Sequence, residues 1–190
     1  SDITFSCIIP ASAKDIITKY FREMLTSILS QNFPQEKVEI IVVTNARPFS
    51  QAELAGNNGY DLSNCKIIFT NDNSEQAQAT GIKNAKGDIC VMICVDNKII
   101  DKELFNCVSA LFESYPLTGV YSKFFHVESK DHSLNRYFSL IGNNDPVALY
   151  LGKADRRPWY ENNQDEVITI MSFMDGNVPS LGDNGFFYRR

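Results

Sequence analysis

Gln76-Ala77-Gln78-Ala79-Thr80-Gly81-Ile82-Lys83-Asn84-Ala85-Lys86-Gly87-Asp88 runs directly into the apolar stretch Ile89–Val95 and then into Asp96-Asn97. The first part predicts a helix from Ser74 to Asn84, capped by the Ser74 hydroxyl and ended by Gly87. The apolar stretch predicts a strand buried on both faces, because its hydrophobic residues are continuous rather than alternating. Asp96 then stands where that strand emerges. In open α/β sheets, phosphate-bearing ligands and their cations bind outside the carboxyl ends of the strands.

The same pattern extends upstream and downstream. Ile3–Ile9 reads as a buried strand stopped by Pro10, and Val38–Val43 and Cys65–Phe69 read as two more. Ile16, Ile17, Tyr20, Phe21, Met24, Leu25, Ile28 and Leu29 recur at helical spacing and predict one long amphipathic helix, ended by Asn32 and Pro34. Ser50–Ala55 predicts a short helix. Asp101–Tyr115 predicts another, with Leu104, Phe105, Val108, Leu111 and Phe112 on one face. Strands alternating with helices imply an α/β fold, with a mainly parallel central sheet flanked by helices on both sides.

After about residue 118 the order loosens. Val120–Val127 reads as an extended segment and Ser133–Ile141 as a helix, while 143–163 and 178–190 are rich in Pro, Gly and Asn. The expectation is one domain over residues 1–190, with a regular part (1–121) and an irregular part (122–190).

A net charge of −5 excludes a general nucleic-acid binder, which needs a basic surface. No apolar run is long enough for a membrane span and no signal peptide opens the sequence, so a cytoplasmic location is expected. Peripheral contact with the inner face of a membrane stays open. The five cysteines (Cys7, Cys65, Cys90, Cys94, Cys107) are odd in number and include no CxxC pair, so they read as small core residues in a reducing compartment.

The loop Pro10-Ala11-Ser12-Ala13-Lys14 lacks the glycines of a dinucleotide fingerprint, and no GxxxxGK[ST] occurs. The chain instead resembles the family-2 glycosyltransferases, inverting enzymes with the Rossmann-like A-type glycosyltransferase fold. Phe5-Ser6-Cys7-Ile8-Ile9-Pro10 is similar to that family's opening strand and proline, and Met24–Pro34 to its "SILxQxxP" helix end. Glu39–Val43 is similar to its second strand, Gly81–Asp88 to its "GixxAkGd" turn, and Gly182–Arg190 to a glycine-rich segment closing in an arginine pair. The resemblance covers essentially the whole chain.

That resemblance implies a donor site of Pro10, Ala11, Asn45, Gln78 and Asp96, with Mg²⁺ or Mn²⁺ held by Asp96. The family's acidic pair after the second strand is Thr44-Asn45 here, its "ARN" triplet is Ala77-Gln78-Ala79, and its DxD-like motif is Cys94-Val95-Asp96. An asparagine carbonyl still accepts a base N–H, though without a charge. Two readings of Asp96 stand: a metal ligand, since one carboxylate plus substrate phosphates suffices for magnesium, or a turn residue ahead of the next helix.

The family's catalytic base follows the arginine pair, where this sequence ends. Asp145, Asp175 and Asp183 are weak substitutes for it, each reading more readily as an Asx-type turn residue. Asn144, Asp145, Trp159, Gly182 and Asn184 form the implied acceptor side, with Trp159 and Tyr160 placed to stack on a sugar or to close a core. Arg156-Arg157 and Arg189-Arg190 are candidates for a diphosphate or lipid phosphate. His126 and His132 are too isolated for a dyad.

The implied function is inverting transfer of a sugar from a nucleoside-diphosphate sugar to a saccharide or lipid-linked hydroxyl acceptor. The alternative is a non-catalytic domain that keeps the fold and has lost the site.

Overall fold

The computed structural model describes residues 2–46, 48–55, 61–71, 73–122, 126–141, 170 and 185–190. In chain order the elements are β1 (Phe5–Ala11), α1 (Ala13–Ile16), α2 (Lys19–Leu29), β2 (Val38–Thr44), α3 (Gln51–Ala55), β3 (Cys65–Phe69), α4 (Ser74–Asn84), β4 (Ile89–Met92), α5 (Leu104–Ser114), β5 (Gly119–Tyr121), α6 (Ser133–Ile141) and β6 (Phe186–Arg189). The chain divides into two compact units, Ser1–Tyr121 with Asp183–Arg190, and Ser122–Gly182.

The first unit holds a six-stranded sheet in the order β3-β2-β1-β4-β6-β5. The first four strands run parallel, while β6 lies antiparallel to both β4 and β5. Continuous apolar strands serve two cores. Phe5, Cys7, Ile9 and Ala11 of β1 face α2 and α5, together with Phe21, Met24, Leu25, Ile28, Phe105, Val108 and Phe112. Ile8 faces the other way with Ile41, Val43 and Cys90, against Ala77 and its neighbours on α4. Phe5 stacks on Phe105 at 4.9 Å between ring centroids, and Phe33 and Phe187 meet both rings edge-on.

Five local expectations differ from the structure. The long helix breaks at Ile17-Thr18. Thr18 Oγ1 accepts from the Phe21 N–H (3.2 Å) and starts a new helix, leaving Ile17 77% and Tyr20 54% exposed rather than in the core stripe. Asn73, not Ser74, caps α4 through the Gln76 N–H (2.9 Å). Gly87 does not end α4, which stops at Asn84 with extended Ala85 as its cap. β4 is shorter than Ile89–Val95, ending at Met92. The chain end reads as irregular, yet Phe186–Arg189 pairs in the middle of the sheet. Gly185, the one described non-helical turn residue with positive φ (+70°), swings the chain into β6, and its N–H donates to Met92 O (2.8 Å).

A polar knot ties the amino end of the sheet. Gly87 N–H donates to Ser6 Oγ (2.8 Å), and Glu39 Oε2 accepts from Ser6 Oγ (2.7 Å) and from Lys86 N–H (2.9 Å). Asp88 Oδ2 accepts from the Thr4 hydroxyl (2.7 Å) and Thr4 N–H (2.9 Å). These two bonds, helped by the Arg190 charge, hold the Asp88 carboxyl below its usual range. A depressed carboxylate stabilises the fold above its unfolded pKa, and loses that contribution as pH falls through its folded value. Asp88→Asn is therefore expected to lower the melting temperature at pH 7, through about 1 kcal/mol or less at this exposed position. The gap to wild type should close as pH drops below about 4. A gap that is unchanged at pH 3 would count against the carboxylate as the cause.

Cys7, Cys65 and Cys90 are core residues as expected, whereas Cys94 is half-buried and Cys107 lies exposed, off the apolar stripe of α5. Burial pushes the Cys7 and Cys90 thiols up and Cys65 up to about 12. Thiolate is the reactive form, so Ellman's reagent at pH 8 should titrate Cys107 first. Cys7, Cys65 and Cys90 should respond only after denaturation, and rapid labelling of any of them in the native protein would contradict this packing.

In the second unit, α6 follows a turn in which Glu128 N–H donates to Asp131 Oδ2 (2.7 Å). His132 Nδ1 accepts from the Leu134 N–H (3.3 Å) at the helix start. His126 is exposed.

Candidate functional site

The parallel pairing sets Ala11 beside Thr44 and Ile8 beside Met92, so the carboxyl ends of β1, β2 and β4 share one edge of the sheet. Pro10 (half-buried) and Ala11 (buried) end β1 there, and Asn45 follows β2. Past β4 the Ile93 N–H still reaches Ile8 O (3.0 Å), and Asn97 N–H then closes a turn on Cys94 O (3.1 Å) that exposes Asp96. Gln78 is half-buried in the second turn of α4, the helix that packs on β1 and β2 and begins after the carboxyl end of β3. Four of the five expected donor residues thus gather on one edge, with Gln78 on the helix beside it.

The loops at this edge are tied to each other. Ala13 N–H donates to Asn45 Oδ1 (3.0 Å), linking the β1–α1 loop to the end of β2. Ser12 and Asp15 form a reciprocal cap at the start of α1, with Ser12 N–H donating to Asp15 Oδ2 (2.7 Å). Asn45 consequently does not present an uncommitted carbonyl to a base. Its oxygen keeps one lone pair, and its NH₂ remains a donor by chemistry.

Asp96 Oδ1 accepts from Asn97 Nδ2 (2.9 Å). Among the described residues no three His, Cys, Asp or Glu side chains cluster closely enough to hold an ion. Asp96 therefore fits a cation that arrives with a diphosphate, whose oxygens and waters complete the coordination, and does not fit a cage made by protein alone.

The arginine pair lies elsewhere. Arg189 pairs with Ile89, at the amino end of β4, because β6 runs antiparallel. Arg189 donates to Leu117 O (3.3 Å) and Phe112 O (3.2 Å) and packs on the Phe112 ring, and Arg190 donates to Ala85 O (2.9 Å). Both guanidinium groups bond to backbone carbonyls at the end of the sheet opposite Asp96, which corrects their reading as ligands of a diphosphate held at the Asp96 edge. Two open hollows, of ≈ 250 and ≈ 400 Å³, also lie at that amino end, and neither touches Pro10, Ala11, Asn45, Gln78 or Asp96.

Asn144, Asp145, Trp159, Tyr160, Gly182, Asn184, Asp175, Asp183, Arg156 and Arg157 lie outside the described residues. Sequence reasoning gave no role to Ser27 and Gln31, which bond to the chain just beyond Asp96. Their place as the Ser and Gln of the "SILxQxxP" resemblance was the available signal.

No protein-family model matches the chain, and no curated protein sequence matches it with significance. Solved structures do. S. aureus TarS 1-349 in complex with UDP-GlcNAc is 22% identical over 68% of this chain and 37% of that one, with a TM-score of 0.56. TarS 1-349 in complex with UDP matches at the same identity and TM-score, over 38% of its length. The mannosyltransferase PcManGT from Pyrobaculum calidifontis, in complex with GDP-Man and Mn²⁺, is 19% identical over 64% of this chain and 35% of that one, with a TM-score of 0.51. The fold is the Rossmann-like fold of the glycosyltransferases. The chain spans under two fifths of the length of these neighbours. Among the described residues no helix is long and apolar enough to cross a membrane.

Proposed function

We propose that this chain is the donor-binding part of an inverting, family-2 type glycosyltransferase. It transfers a sugar from a nucleoside-diphosphate sugar to a hydroxyl of a saccharide or lipid-linked acceptor. The observation that carries this reading is the exposed Asp96 on the strand edge shared with Pro10, Ala11 and Asn45, in a fold whose solved relatives hold UDP, UDP-GlcNAc and GDP-Man.

In this reading residues 1–121 bind the donor and the segment from about Ser122 supplies the acceptor side. The loops after β1 and β2, joined through Ala13 and Asn45, bracket the nucleoside. Pro10 and Ala11 set the floor of the site without bulk, and Gln78 offers an uncharged amide from α4. Asp96 would hold Mg²⁺ or Mn²⁺ against the diphosphate. The cation, when bound, neutralises charge that builds on the departing nucleoside diphosphate. Inversion requires a base opposite that leaving group, and Asp145 and Asp183 stay the candidates within this sequence. The protein is placed in the cytoplasm, peripheral to the membrane where its acceptor is lipid-linked.

One observation favours a second reading, a non-catalytic domain that binds the nucleotide weakly or not at all. The Asn45 carbonyl is engaged by Ala13, and Asp96 is the one acid among the five expected donor residues. Calorimetric titration with UDP and with GDP, with and without MnCl₂, separates the two. Manganese-dependent binding of either nucleotide supports the transferase, and no binding of either supports the alternative.

A further inference from the structure

Ser27, in the last turns of α2, and Gln31, just past its Ser30 cap, are polar yet only 8% and 6% exposed. Buried polar groups need partners, and theirs lie partly within the helix and partly in the chain beyond Asp96. Ser27 Oγ donates to Met24 O (2.6 Å) and accepts from the Ile99 N–H (3.0 Å). Gln31 Nε2 donates to Asp101 O (2.9 Å) and to Ser27 O (3.2 Å), while its Oε1 accepts from the Phe105 N–H (3.4 Å). Asn32 N–H adds a bond to Lys102 O (2.9 Å).

The connection from β4 to α5 has no ladder of its own between Asn97 and Leu104, and Ser27, Gln31 and Asn32 at the end of α2 and just past it supply partners for part of its backbone. Upstream, Ile93 N–H is fixed on Ile8 O of the sheet. Asp96 therefore stands on a short arch with one foot on β1, at Ile93, and the other on α2, at Ile99. Side chains of Ile93, Val95 and Ile99 pack into the larger core beneath it.

We propose that Ser27 and Gln31 are positioning residues that hold the Asp96 arch in the geometry needed to bind a cation-bridged nucleoside diphosphate. This rests on the function proposed above, because that reading gives Asp96 its cation. An arch held at both feet loses little freedom when it binds, so the affinity carried by Asp96 depends on the α2 foot. Neither side chain touches the ligand in this account. Their effect is confined to interactions made through Asp96.

The test compares wild type, Ser27→Ala, Ser27→Thr and Gln31→Glu in calorimetry with UDP and GDP, with and without MnCl₂, alongside amide hydrogen exchange. Ser27→Ala withdraws the acceptor of the Ile99 N–H together with the local donor to Met24 O. Gln31→Glu keeps the acceptor for Phe105 and withdraws the donor from both Asp101 O and Ser27 O. Expected are at least fivefold weaker manganese-dependent binding in Ser27→Ala, unchanged metal-free binding, faster exchange at Ile99 and wild-type protection in β1 and β4. Ser27→Thr, which keeps the hydroxyl, should restore most of the affinity. If Ser27→Ala does not fold, the same loss in Gln31→Glu is required.

The proposal is overturned if the folded variants bind the manganese complex as wild type does, or if metal-free binding weakens by the same factor. Absence of manganese-dependent binding in wild type itself defeats the parent reading, a result distinct from either of these.

Discussion

Gly87→Ala is expected to destabilise the protein by about 3 kcal/mol or more, enough to unfold a large fraction of a marginally stable domain near 37 °C. A Cβ at Gly87 would lie 2.6 Å from the Phe5 carbonyl carbon, 2.7 Å from Ser6 N and 2.8 Å from Ser6 Oγ. Two of these atoms are backbone of β1, a strand locked between β2 and β4, so the neighbour cannot yield by rotating a side chain. Moving Gly87 instead would break its bond to Ser6 Oγ and strain the Lys86–Glu39 and Asp88–Thr4 links on either side. Gly81 makes the useful comparison. A Cβ there meets the Ile8 Cγ2 methyl at 2.3 Å, nominally closer, but a side-chain methyl shifts more easily than a strand. Gly81→Ala is accordingly expected within the usual overpacking range of about 1–3 kcal/mol. Urea unfolding of both variants checks the order. A Gly87→Ala protein within 1 kcal/mol of wild type (roughly a fivefold change in the folding equilibrium) would remove close backbone approach as the reason for this glycine.

Asp96→Ala is expected to eliminate the manganese-dependent part of UDP or GDP binding, a loss of at least tenfold or about 1.4 kcal/mol. Its thermal stability should stay close to wild type. The side chain is exposed and accepts from the adjacent, half-exposed Asn97, so its removal strands no buried partner there. Asp96→Asn sharpens the result, since it keeps the shape and the Asn97 contact while removing the charge that a divalent cation requires. Loss in both variants assigns the effect to charge. Retention of metal-dependent affinity in both would remove Asp96 from the site and, with it, the proposed transferase.

The candidate site was partly legible in the sequence for a specific reason. Asp96 and Asn45 follow apolar runs whose continuity marks buried parallel strands, and parallel strands end on a common edge. Position along the chain therefore translates directly into position at that edge. The arginine pair obeyed no such translation. Phe186–Arg189 is too short and too aromatic to reveal its direction, and the antiparallel pairing with β4 sends Arg189 and Arg190 to the far end of the sheet. Ser27 and Gln31 stood within the "SILxQxxP" helix end but received no role, because the work of a buried polar residue is known only with its partner, here dozens of residues away.

Local chemistry was thus sufficient for the alternation of strands and helices, for the two-sided burial of β1, β2 and β4, and for the aspartate at the end of the fourth strand. These depend on neighbours within a few residues and on the period of the hydrophobic pattern. Long-range packing alone decided the insertion of β6 between β4 and β5, the close approach that demands Gly87, the engagement of the Asn45 carbonyl by Ala13, and the anchoring of the Asp96 arch on α2. Each of these is a contact between segments distant in the chain, and its energy exists only once the sheet has brought them together.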